Sequence, residues 1–106
     1  MKHIYFLFLL LILFSNTYSQ SEICSTPLRE SLNKLDEIKI NSKWFKAFHV
    51  GKDVVAIVEP YNFEEVISYL IIGKKKALLF DTGIGVDSIS LIVKQLTNLP
   101  VIVINS

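Results

Sequence analysis

Polar and apolar positions divide the chain into segments of different period. Apolar residues run unbroken from Ile4 to Phe14 behind a basic start, Met1-Lys2-His3, and are followed by Ser15-Asn16 and small residues at Thr17 and Ser19. That order describes a secretory signal peptide over residues 1–19, cleaved after Ser19, because the apolar run is shorter than the roughly 17–25 residues that span a bilayer. Residues 20–42 read as a linker with a helix. Thr26 is its N-cap, Pro27 its first position, and Leu28, Leu32, Leu35 and Ile38 its apolar stripe.

From residue 43 the period changes. Trp44–Val50 and Val54–Glu59, joined by Gly51-Lys52-Asp53, predict a hairpin rich in β-branched and aromatic residues. Val66–Ile72, the turn Gly73-Lys74-Lys75 and Lys76–Phe80 predict two further strands. The runs VVAIV, VISYLII and ALLF lack polar alternation, which predicts strands covered on both faces. Val86, Ile89, Val93 and Leu96 predict a helix capped by Asp87 or Ser88 and ended before Pro100, and Val101–Ile104 predicts a fifth strand. Strand, helix and strand in so short a space form a βαβ unit with parallel strands. The fold class is therefore α/β (α+β), with five strands and one well-defined helix.

Composition adds little beyond this. The chain has 106 residues, is 51% hydrophobic and carries a formal net charge of +1. Its longest basic run, Lys74-Lys75-Lys76, belongs to a hairpin tip, so no nucleic-acid partner is expected. Cys24 is the single cysteine, which excludes an intramolecular disulfide, and Ile23 before it disfavours a lipoprotein site.

The candidate chemistry lies at Asp81-Thr82-Gly83. Parallel strands deliver their carboxyl ends to one sheet edge, where open α/β sheets bind ligands, so Asp81 should neighbour Asn105-Ser106. A plain turn role for Asp81 competes with any function. An aspartic protease also carries Asp-Thr-Gly after an apolar strand, but Ile84 and the short remainder of the chain argue against it. Gly83 and Gly85 before a helix are a weak match to a dinucleotide site.

From Trp44 onward the order "WFKAFHVGKDVVAIVEP", "EEVISYLIIGKKKALLFDTGIG", a helix and "LPVIVINS" resembles the N-terminal part of a metallo-β-lactamase superfamily domain. Residues 43–106 would then be part of an incomplete αββα sandwich. In that family the strand corresponding to "VIVINS" leads directly into a zinc-binding His-x-His-x-Asp-His motif.

The resemblance implies hydrolysis of an ester, amide, thioester or phosphoester bond by a zinc-activated water, on a small-molecule substrate such as a β-lactam or lactone. By the same resemblance Asp81 supports the metal site from beside it, with Thr82 and Gly83 as turn residues. The metal ligands themselves are not expected here: His3, His49 and Cys24 are not spaced to share an ion. Two readings follow. One is the N-terminal fragment of an exported hydrolase, periplasmic or secreted, with no stable membrane anchor after cleavage and inactive alone. The other is a complete, non-catalytic exported small protein. Gln20–Ser106 by itself is expected to be aggregation-prone or only partly ordered.

Overall fold

The computed structural model describes residues 28–106. The signal-peptide, Cys24, Thr26 and Pro27 readings lie outside the described residues. Among the described residues, six strands form one mixed sheet: β1 Asp36–Ile38, β2 Lys46–Gly51, β3 Val54–Val58, β4 Ile67–Ile72, β5 Ala77–Phe80 and β6 Val101–Ile104. Their order in space follows their order in sequence. The first five strands pair antiparallel. β6 pairs parallel to β5, from Ala77↔Val101 to Phe80↔Ile104, and the helix α1 Ile89–Leu96 crosses between them.

No helix forms over Leu28–Ile38, contrary to the periodic stripe. A 3-10 turn, Leu32–Lys34, leads into β1, which pairs Asp36↔His49 and Ile38↔Ala47. The supposed stripe is split between two cores. Leu28, Leu32 and Leu35 pack with Phe48, Ala56 and Val58, whereas Ile38 packs on the opposite side of the sheet. Pairing with β2 satisfies the backbone and buries both sets, which a short surface helix could not do. The sheet therefore has six strands rather than five, and it starts upstream of residue 43.

Alternate residues of β2 and β3 go to opposite faces. Ala47, Val55 and Ile57 join Leu70, Leu79, Ile89, Ile92 and Val93 beneath α1. Phe48, Ala56 and Val58 face the Leu28–Leu35 segment. β3 is covered on both faces, as its unbroken apolar run predicts, whereas β2 is covered on both faces only around Ala47 and Phe48 and is exposed from His49 onward. The three strands after β3 are not, although VISYLII and ALLF predict the same double cover for β4 and β5. Tyr69, Ile71, Phe80, Ile102 and Ile104 lie side by side on the second face and are each about 40–50% exposed. The same apolar patterning thus leaves half of one sheet face bare.

In α1 the buried positions are Ile89, Ile92 and Val93, with Leu96 packed against the same core. Val86 lies ahead of the helix and is exposed, so it is no part of the stripe. Ser88 holds the N-cap position, but its hydroxyl meets Ser90 Oγ at 2.9 Å instead of a backbone N–H.

The two sheet edges differ in kind. β1 presents Asp36 and Glu37, with Glu37 paired to Lys46 at 3.3 Å. β6 presents Ile102 and Val103, with no charged side chain from Thr97 to Ser106. Charged edges resist strand addition and apolar ones invite it. Ile102→Lys, on the half-bare face of this edge strand, is therefore expected to suppress concentration-dependent association. Sedimentation velocity across a concentration series checks this, and equal association of both proteins would refute it.

Candidate functional site

Because β3 and β5 both run antiparallel to β4, they point the same way, and β6 runs with them. Three strand ends therefore meet at one sheet edge, carrying Glu59, Asp81 and Asn105-Ser106. The structure brings Asp81 and Ser106 into contact. Asp81 N–H donates to Ile104 O at 2.8 Å, extending the ladder by one bond. Its Oδ1 accepts from Ser106 N at 2.7 Å, and Ser106 Oγ lies 2.9 Å from Oδ1 and 3.1 Å from Oδ2. Thr82 Oγ1 lies 3.4 Å from Asn105 Oδ1, a long contact that adds little.

Asp81 has φ +63°, Gly83 +74° and Gly85 +83°. The left-handed region is costly for residues with a Cβ, and Asp and Asn tolerate it best because a short polar side chain can bond locally. Asp81 therefore has a local reason to be an aspartate whatever else it does. Asp81→Asn should keep the turn within about 0.5 kcal/mol, whereas Asp81→Val should cost about 1–2 kcal/mol through backbone strain alone. Valine would also leave the Ser106 amide and hydroxyl without their acceptor, which adds to that cost. Denaturant midpoints of the two variants measure the difference. Equal stability would show that the left-handed turn is not formed in solution.

Gly83 is required for a second reason. A β-carbon there would lie 2.6 Å from Glu59 Oε2. Glu59 is only 1% exposed, the one buried charged side chain among the described residues. Its Oε1 accepts the indole N–H of Trp44 at 2.8 Å, and its Oε2 accepts the backbone N–H of Ile84 at 3.1 Å. Trp44 in turn tilts against Tyr61, with ring centroids 6.0 Å apart. A carboxylate taken out of water must find donors in the protein, and this one has found two. Sequence reading missed Glu59, since a carboxylate beside Pro60 at the end of an apolar strand looks like the start of a turn.

His49 is not part of this edge. It is exposed on β2 opposite Val55, whereas the site end of β3 pairs at Lys46↔Val58. Among the described residues no group of three or more His, Cys, Asp or Glu side chains could hold a metal ion. Asp81 faces the Ser106 amide and hydroxyl, with no second carboxylate hydrogen-bonded to it as a proton-sharing aspartate pair would need. The described residues therefore do not fit a zinc site. A pocket of about 260 Å³ opens beside this edge between α1, β5 and β6, lined chiefly by Leu79, Ile89, Val93, Val101 and Val103.

Compared with known protein families, with curated proteins and with solved structures, the chain finds no match.

Proposed function

We propose that the chain is the N-terminal part of an exported zinc-dependent hydrolase of metallo-β-lactamase fold, contributing scaffold and no metal ligand. The carrying observation is the contact between the Asp81 carboxylate and the Ser106 amide and hydroxyl. It sets an acidic group against the point at which, by resemblance, the His-x-His-x-Asp-His segment begins. A carboxylate so placed is suited to orient a ligand histidine and fix its tautomer.

Two further features support the reading. An antiparallel meander, an Asp-Thr-Gly loop, a helix and a parallel strand follow one another in the expected order. The sheet also has one helix-covered face and one half-bare apolar face, as half of an αββα sandwich would. The substrate class on this reading is a small extracellular molecule with a hydrolysable acyl or phosphoryl bond, such as a β-lactam or lactone.

The test is the coding sequence beyond the Ser106 codon. A His-x-His-x-Asp-His reading there, in any frame, is expected, and its absence in all frames overturns the proposal. The 106-residue chain itself should bind no stoichiometric zinc in a calorimetric titration. Equimolar zinc lost on His49→Ala would contradict the assignment of the ligands to a segment beyond Ser106.

A further inference from the structure

We propose that Glu59 is the positioning residue of the Asp81 loop. Its buried carboxylate fastens Trp44, at the entrance to the β2–β3 hairpin, to the backbone of Ile84, and thereby sets the presentation of Asp81. The inference deepens the preceding reading, which makes Asp81 the residue that matters, but its test requires neither metal nor substrate.

The geometry carries it in three steps. Each oxygen of Glu59 serves a different element: Oε1 the side chain of Trp44 at 2.8 Å and Oε2 the main chain of Ile84 at 3.1 Å. A carboxylate only accepts, so both N–H groups can be satisfied together. Glutamine of the same shape brings an NH₂ that cannot accept, and one of the two donors then loses its partner. Next, the loop has little stiffness of its own, because two of its five residues from Asp81 to Gly85 are glycines. The left-handed backbone of Asp81, by contrast, is a costly conformation that persists where the surroundings impose it.

Glu59 imposes this one from the hairpin side, while Ser106 engages Asp81 from the strand side. Finally, the Gly83 backbone packs directly on the Glu59 carboxylate, with no room between them for a β-carbon, which would lie 2.6 Å from Oε2. A shift of the hairpin is therefore passed to Asp81 through one side chain.

The experiment uses the full chain, uniformly ¹⁵N-labelled, with the indole N–H of its single tryptophan, Trp44, as a direct reporter. In Glu59→Gln the indole resonance should shift. Amide exchange at Ile84 should accelerate about tenfold, in line with the loss of a hydrogen bond to a charged group. The Ser106 amide resonance should move toward its unstructured position, and Ile92 and Val93 in α1 should keep their rates. Equal acceleration at α1 would mean that Glu59 only stabilises the fold, and an unmoved Ser106 resonance would mean that the latch does not reach Asp81. Either result overturns the proposal. If Glu59→Gln does not fold, Trp44→Phe decides, since it keeps the carboxylate and removes one donor. Perturbation at Ile84 and Ser106 with α1 intact supports the latch, and no perturbation overturns it.

Discussion

Truncating Phe48 to alanine should destabilise the folded chain by about 3–5 kcal/mol, a loss comparable with the whole stability of many small domains. Phe48 is 1% exposed and is the largest member of the smaller core, where it meets Leu32, Ala56 and Val58. Among the described residues that core is the only cover on its face of the sheet. Its outer layer is Leu28, Leu32 and Leu35, from a segment whose one regular element is a 3-10 turn. Removing the ring takes away both the transfer free energy and the surface against which the segment rests. β1 pairs directly opposite, at Glu37↔Phe48, and should loosen with it. Urea unfolding measures the total loss, and amide protection over Asp36–Ile38 measures its local part. A loss below about 1 kcal/mol would mean that Leu28 and Leu35 collapse into the space and that the second core is soft.

Leu70→Ala should cost about 2–5 kcal/mol, and its neighbour Ile71→Ala no more than about 0.5 kcal/mol. The contrast matters more than either value. Leu70 is wholly buried beneath α1, paired with Val55 and Leu79, whereas Ile71 points to the other face and is 42% exposed. The two side chains have the same number of carbons and sit one residue apart on the same strand, and the greater strand preference of isoleucine works against the expected contrast, so burial alone can produce it. Chemical unfolding of both variants then reports which faces of the sheet are covered in solution. If Ile71→Ala proves as damaging as Leu70→Ala, the second face is buried there, by a second molecule or by residues outside 28–106.

Much of this architecture is legible in the residues. β-branched runs broken at Gly51-Lys52-Asp53 and Gly73-Lys74-Lys75 mark four strands within a residue or two, and a cap at Asp87 or Ser88 with a stop before Pro100 marks the helix, although Val86 is no part of it. Parallel pairing of Val101–Ile104 with Ala77–Phe80, and with it the meeting of Asp81 and Ser106, follows from the crossover alone.

The misreadings have physical causes. Leu28, Leu32, Leu35 and Ile38 match a helical period by coincidence, because a turn and a strand deliver them to two different faces. Val54–Val58 and Val101–Ile104 have the same unbroken apolar character, yet one is covered on both faces and the other lies at an edge. Composition records what a strand can bury, and the position of the strand in the sheet decides what it does bury. Glu59 illustrates the limit most sharply, since its partners Trp44 and Ile84 are 15 and 25 positions away and no local pattern connects them.

The strictly sequential strand order has a kinetic consequence. Each antiparallel pairing closes a short loop, so the sheet from β1 to β5 can grow by zipping one hairpin onto the last, with low contact order and correspondingly fast formation. The β5–β6 pairing is of another kind. Its partners are separated by the Asp81 loop and α1, so a larger loop must close before any parallel hydrogen bond rewards it. β6 should therefore be the last strand to dock. Until it does, β5 stands as the open edge, and Leu79 and the underside of α1 remain in water. Refolding followed strand by strand should find protection at Val54–Val58 before protection at Val101–Ile104.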